Sequence, residues 1–431
     1  MQSIWEQTAK AEHFPPLSKD LNTDVLIIGG GVCGILCAYM LHRAGIDYVL
    51  AEADRICSGI TKNTTAKITV QHGLIYHKLL KKFGAEKAGL YFHANDDALK
   101  QYAALCENID CDFSREDSFV YTMDSYEKIR REIDALKALG INAQFSQAAF
   151  LPFRTAGAVK LPNQAQFNPL KFAYAISKGL HICEHTKVEQ LIGTKAITPH
   201  GNITAKKVIV ATHFPFLNKH GSYFLKLYQH RSYVLALKNV PLPSGMYVDE
   251  AKTGFSFRTY GDLLLLGGGA HRTGKQGGSW QALRNFAKQY YPNAQECACW
   301  AAQDCMSLDG IPYIGRYSAN TQGLYVATGF NKWGMTTSMA AARLLCDLVQ
   351  EKSNPYAALF SPSRSILQPQ LAINAWEAAA SLLTPTSKRC PHLGCALKWN
   401  PNERTWDCPC HGSRFTEDGK CIDNPSTGDL T

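Results

Sequence analysis

The sequence predicts an α/β fold with an inserted antiparallel sheet, followed by a small β-rich module. Three observations predict it. The chain opens with a strand, a glycine-rich turn, a helix and a second strand. Two apolar runs in its middle, 230–237 and 255–266, read as strands of an antiparallel sheet. Its end crowds five of the 15 cysteines, Cys390 to Cys421, into 32 residues.

At 431 residues the chain is too long for one core and implies two or three units. A hydrophobic content of 45% and a charged content of 19% are ordinary for a globular protein. The net charge of +9 is scattered, with clusters no denser than Lys81-Lys82 and Lys128-Ile129-Arg130-Arg131, which argues against a nucleic-acid partner. Apolar runs such as Val25–Ile28 and Leu263–Leu266 fall far below the ~18 residues of a membrane span. Met1 to Asp20 lacks an apolar signal core and twin arginines, so the expected location is cytoplasmic. In that setting the C-terminal cysteine cluster reads as metal binding rather than a disulfide framework. Cys33, Cys37 and Cys346, on expected helices, read as small buried hydrophobes.

Residues 24–28 form a buried strand. Gly29-x-Gly31-x-x-Gly34 follows and opens a helix, Ile35 to Ala44, that stops at Gly45. Asp47 to Glu52 is the second strand, and Glu52 stands 18 positions after Gly34. Gly29 permits the tight turn, Gly31 lets the backbone approach a pyrophosphate, and Gly34 lets the helix pack on the sheet. The helix N-terminus offers free N–H groups to the anion, and Glu52 accepts from ribose hydroxyls. The alternative is a glycine turn that binds nothing. The unit does not decide between FAD and NAD. Further along, 75–140 reads as mainly helical, 205–212 and 324–328 as strands, and 336–350 as a helix. Residues 353–388 read as a connector with one helix, Ala372 to Leu383.

Gly59-x-Thr61-Lys62-x-Thr64-Thr65-Ala66-Lys67, with Gln71-His72-Gly73, resembles the flavin-wrapping segment of the D-amino-acid oxidase, glycine oxidase and sarcosine oxidase superfamily. Val188 resembles that family's adenine-facing valine, and Val208 to Thr212, which includes Ala211, its later flavin-domain strand. Asp309-Gly310-Ile311-Pro312-Tyr313-Ile314-Gly315, then Ala327-Thr328-Gly329-Phe330 and Lys332-Trp333-Gly334-Met335-Thr336, resemble its C-terminal flavin motif. The resemblance spans residues 24 to about 350. It implies a Rossmann-type FAD-binding domain and FAD as cofactor. It implies cofactor contacts from Gly29, Gly31, Gly34, Glu52, Thr61, Thr65, Ala66, Lys67, Val188, Ala211, Gly310, Gly329, Lys332, Gly334, Met335 and Thr336. His72 is expected as an ordinary hydrogen-bonding residue rather than a covalent flavin anchor.

Cys390-x-His392, fifteen residues, then Cys408-x-x-His411 provide two thiolates for one iron and two imidazoles for the other. Neutral imidazoles leave such a cluster less negative than four thiolates would, which raises its potential. Cys2His2 also suits a structural zinc ion. The surrounding residues resemble the Rieske [2Fe–2S] family over 388–431. Cys395 and Cys410 stand where respiratory Rieske proteins carry a disulfide, and Pro425 resembles the loop that covers the cluster. Ser413 matches a serine that donates to a bridging sulfide. Phe415 replaces the tyrosine of high-potential members, which implies a lower potential. Few residues precede Cys390 for a β-sandwich base, so the module is expected to dock on the flavoprotein.

The expected organisation is therefore an oxidoreductase at 1–352, a linker at 353–387 and a minimal Rieske domain at 388–431. Within the first, FAD-binding parts are expected near 22–75, 150–215 and 305–352, and substrate parts near 76–149 and 216–304. The expected activity is FAD-dependent dehydrogenation of an amine or amino acid, with electrons leaving through the cluster to an external acceptor. Reverse flow from an external donor protein, or a non-catalytic carrier or sensor, are the alternatives. No residue reads as a secure catalytic base. Arg231, Tyr233, Arg258 and His271, on the expected substrate sheet, are the candidates for binding a substrate carboxylate.

Overall fold

The computed structural model describes residues 2–217 and 220–430 and builds them on three sheets. The first runs, edge to edge, Tyr313–Arg316, Leu324–Thr328, Gly201–Val210, Leu21–Ile28, Tyr48–Ala51 and Ile182–Cys183. Its four inner strands are mutually parallel. They are buried on both faces, so they read as continuous apolar runs rather than alternating ones. Helix Val32–Arg43 follows the first strand and packs against Gly334–Val349, with Cys33, Cys37 and Cys346 in the shared core.

The second sheet runs Gln295–Ser307, Leu227–Lys238, Leu263–Arg272, Ser256–Tyr260, Met246–Asp249, Ser114–Thr122, Gly157–Gln166 and Lys67–Ile68. All its pairings are antiparallel except that of Met246–Asp249 with Ser114–Thr122. Two sequence readings change here. The run 255–266 is a hairpin of two strands, turned at Gly261 with φ +57. The stretch 75–140 holds helical segments over Tyr76–Cys106, broken at Gly84 (φ 80), and over Tyr126–Ala138, but Ser114–Thr122 between them is a strand. Its last five residues, Ser118 to Thr122, are all buried, and β-branched and aromatic side chains suit a covered strand better than a helix. Gly157–Gln166 and Lys67–Ile68, within the expected FAD-binding parts near 150–215 and 22–75, pair in this second sheet.

The third sheet is an antiparallel meander of four three-residue strands, Lys398–Asn400, Thr405–Asp407, Arg414–Thr416 and Cys421–Asp423. Its core is small: Cys390, Cys395, Leu397, Cys408, Cys410 and Phe415. So small a core needs external support. Some comes from helix Pro369–Leu383, which begins earlier than expected because Pro369 takes the first helical turn. Ser381 ties this helix to the cysteine loop, its Oγ donating to the Ala396 carbonyl (3.2 Å) and its carbonyl accepting from Ala396 N (3.3 Å).

Candidate functional site

A cavity of about 1490 Å³ separates the first two sheets. Pockets for one small ligand span roughly 300–1,000 Å³, so this one is large enough for a dinucleotide and a substrate together. The glycine turn forms one end. A Cβ on Gly34 would stand 1.9 Å from the Gly29 carbonyl oxygen, so only glycine lets the helix meet the strand this closely. Gly31 faces the cavity at the helix N-terminus. Glu52 accepts from Gly30 N (2.6 Å) and Asp54 N (2.9 Å). Burial raises its pKa and these N–H groups oppose the rise. Thr61 Oγ1 accepts from Val32 N (3.0 Å).

Of the remaining expected cofactor residues, Thr65, Lys67, Val188, Ala211, Gly310, Gly329, Lys332, Gly334 and Met335 also line the cavity. Lys67 is pushed down to about 7 by burial and by Arg258. Gly34, Ala66 and Thr336 do not line it. Ala66 is fully buried and gives its carbonyl to Arg258. Thr336 Oγ1 donates to the Thr69 carbonyl (3.2 Å) beside His72 Nε2 (3.1 Å). Both His72 nitrogens are engaged, Nδ1 with the Tyr91 hydroxyl (2.7 Å) and Nε2 with the Thr69 carbonyl (2.9 Å). Burial lowers His72 to about 3, and its ring stacks on Trp333 at 5.0 Å.

The second sheet supplies the opposite wall. His230 and Asp304 are cross-strand partners, and both line the cavity with Ser232 and Lys252. Burial raises Asp304 to about 6, against the pull of Lys332 and of a hydrogen bond from Ser232 Oγ (3.3 Å). Burial lowers His230 to about 3, with the charges of Lys332 and Lys252 adding to it. Lys332 is also lowered, by burial first. Its side chain is exposed and lines the cavity.

Of the four expected substrate binders, Tyr233 lines the cavity, and Arg231, Arg258 and His271 do not. Arg231 forms a two-point pair with Glu403, Nε–Oε1 2.9 Å and Nη2–Oε2 2.5 Å. Tyr233 borders the cavity, but its hydroxyl donates to the same Glu403 (3.0 Å). Arg258 is buried and donates to the carbonyls of Thr65, Ala66 and Phe167. His271 stacks on Tyr233, with Nδ1 by the Gly269 carbonyl. The reason is strand parity. Successive side chains point to opposite faces, so Arg231 lies on the far side of the sheet from His230 and Ser232.

That far side carries the C-terminal module. Gln229 Nε2 donates to the carbonyls of His411 (2.9 Å) and Asn424 (3.0 Å), and Gln303 Nε2 to that of Gly412 (2.9 Å). A Cβ on Gly412 would lie 2.6 Å from Gln229 Cβ, so the approach requires glycine. Arg272 donates to the carbonyls of Pro409 (2.9 Å) and Cys410 (3.1 Å). Asn424 Nδ2 reaches the Phe214 carbonyl (2.7 Å), and the Phe214 ring faces His392 and His411. Two paired strands thus stand between part of the cavity and the module, and module residues Thr416, Cys421, Asp423, Asn424 and Ser426 also line the cavity.

Within the module the rings of His392 and His411 meet edge to face, 4.9 Å between centroids. Burial lowers His392 to about 3, with His411 adding to it, and burial lowers His411 to about 4. Both are therefore neutral at neutral pH, the form that binds metal. His411 Nδ1 is buried without a hydrogen-bond partner. The sulfurs of Cys395, Cys408 and Cys410 lie within 4.8 Å of one another, and the Cys390 thiol hydrogen-bonds Cys408. Hydrogen bonds from Cys395 and Cys408 bring Cys410 down to about 4. Cys395 and Cys410, where the Rieske resemblance sets a possible disulfide, are unbridged in this structure, with their sulfurs beside that of Cys408. Buried thiols, neutral imidazoles and an orphaned ring nitrogen fit an iron–sulfur group.

Sequence reasoning missed His230, Asp304 and Glu403. The signal for the first two was a polar residue at alternate positions of an apolar strand. Glu403, in a turn, gave none.

Comparison with known proteins agrees with this anatomy. The family model described as FAD dependent oxidoreductase (DAO) matches residues 24–348, and that of the Rieske [2Fe-2S] domain matches 367–431. The Rieske 2Fe-2S iron-sulfur protein YhfW of Bacillus subtilis is 34% identical over 99% of this chain and 96% of its own. Gamma-glutamylputrescine oxidoreductase of Escherichia coli is 23% identical over 84% of this chain and 93% of its own. The structure of glycine oxidase from Geobacillus kaustophilus shares the fold, with a TM-score of 0.68 at 21% identity, covering 80% of this chain and all of that one.

Proposed function

The chain belongs to the DAO family of FAD dependent oxidoreductases and ends in a Rieske [2Fe-2S] domain, and from that premise we propose that it oxidises an amine or amino acid and passes the electrons through FAD and the cluster to an external acceptor. Bound FAD supplies hydride acceptance and the [2Fe-2S] group one-electron transfer. The observation that carries this reading is the shared wall: His230, Ser232 and Asp304 face the cavity, while Gln229, Arg231 and Gln303 of the same two strands hold the cysteine–histidine module.

The glycine turn and Lys67 would receive the pyrophosphate, and Glu52 the ribose. Cys390, His392, Cys408 and His411 would hold the two irons, with Cys395 and Cys410 beside them. Lys332, expected on the flavin side, stands where its charge acts on both Asp304 and His230. A cation and a carboxylate on one cavity wall suit a zwitterion: Lys332 takes the substrate carboxylate and Asp304 its ammonium. The amine chemistry named for the Escherichia coli relative and the glycine oxidase fold support this class. An anaerobic panel of amines and amino acids, read by loss of flavin absorbance, tests it. Reduction by members of that class is the expected result; reduction by none of them rejects it.

A further inference from the structure

Helix Pro369–Leu383 is inside out. Its buried positions are Asn374 and Ser381, seven residues apart on one face. Its exposed stripe is Ile373, Trp376, Ala380 and Leu383, at the three- and four-residue spacing of the opposite face. Trp376 is 74% exposed and Leu383 83%, as is Leu367 just before the helix. The helix has one charged residue, Glu377, and Lys275 neutralises it at 2.6 Å. An apolar face of this kind on a folded protein marks a contact surface.

We propose that this face docks the protein on a bilayer of anionic phospholipid. The rim is basic. Exposed Lys82 reaches Gln368 at one end, and exposed Lys388 and Arg389 follow the other, Arg389 donating to the carbonyls of Leu382 and Thr384. Protein interfaces carry about one hydrogen bond per 100–200 Å². The stripe's side chains offer a single donor, the Trp376 indole, and a lipid surface needs none. Leu, Ile and Trp on one face with Lys and Arg at the ends is the pattern of a helix lying in the headgroup layer. At 15 residues the helix is shorter than the ~20 residues of a span, and no helix among the described residues is long and apolar enough to cross a membrane.

The face is continuous with the cluster loop. Leu382 Cδ2 lies 3.9 Å from where a Cβ on Gly394 would be, and Leu393 beside it is exposed. Docking therefore sets the loop at Leu393 and Gly394 beside the lipid surface. The inference is independent of the substrate assignment.

Cosedimentation of the full-length holoprotein with phosphatidylglycerol or phosphatidylcholine vesicles tests it. The expected result is binding to the first, little to the second, and weakening with salt. Trp376→Glu with Leu383→Glu lowers the bound-to-free ratio roughly tenfold or more, as burying charge in that layer requires; Lys388→Glu lowers it less. Flavin and cluster spectra stay unchanged. No binding to phosphatidylglycerol, or equal binding by the double variant, overturns the proposal. So does a dimer that the double variant dissolves without any vesicle binding, which makes the face a self-interface. Capture of an acidic redox protein in place of vesicles overturns it as well.

Discussion

Arg231 and Glu403 meet through two hydrogen bonds, 2.9 and 2.5 Å, with both side chains 7% exposed. They tie the second sheet to the C-terminal module. Arg414 holds the same carboxylate from inside the module (2.8 Å) and also pairs with Asp407 and Asp423. Removing Glu403 leaves Arg231 buried without its partner, at a cost of about 3–5 kcal/mol. Glu403→Ala is expected to loosen the module, read as faster proteolysis before Cys390 and a lower melting temperature.

The same carboxylate sets an acid limit. Burial raises Glu403, but hydrogen bonds and charge from Arg231 and Arg414 outweigh this and bring it down to about 2 from 4.5. A carboxylate whose pKa falls on folding contributes stability above its unfolded value and loses it as pH falls. Docking should hold above pH 4.5 and weaken progressively toward pH 2. Melting curves across that window check it, and Glu403→Gln should flatten the dependence.

Gly34→Ala places a methyl group against the Gly29 carbonyl. Overpacking costs roughly 1–3 kcal/mol or more, and here the backbone of the phosphate turn must shift. The variant is expected to purify without FAD, as its absorption spectrum will show.

His72 offers no free nitrogen for a covalent bond to the flavin. Acid precipitation should leave the flavin in the supernatant. Flavin retained on a His72 peptide would contradict the assignment.

Lys332→Ala removes a charge-assisted hydrogen bond of about 1.5–3 kcal/mol, so KM for an amino acid should rise roughly ten- to hundredfold with kcat little changed. An amine without a carboxylate should be unaffected. Asp304 is raised to about 6 by burial. Binding of an ammonium substrate should weaken as pH falls through about 6, and Asp304→Asn should remove that limb of the pH profile.

The βαβ unit and the cluster loops were legible because their residue types are dictated locally: a turn, a helix start, a metal ligand. The helix at 369–383 was visible, but its inverted polarity was not, because Asn374 and Ser381 become inward only through Arg272 and Ala396, distant in sequence. On the strand Leu227–Lys238 the composition alone does not say which side chains face the cavity. His230 and Arg231 are equally plausible from composition, and a strand gives each a different face. The pairing with Gln295–Ser307 puts His230 and Asp304 on one face, and the packing of the second sheet over the first turns that face to the cavity.

If one chain carries electrons from substrate through flavin to cluster, a reducing substrate added to the anaerobic holoprotein should reduce both centres, followed together by flavin absorbance and the cluster's EPR signal. Flavin bleaching followed by a rhombic signal, with no other reductant present, is the expected result. Full flavin reduction with the cluster still oxidised would contradict it.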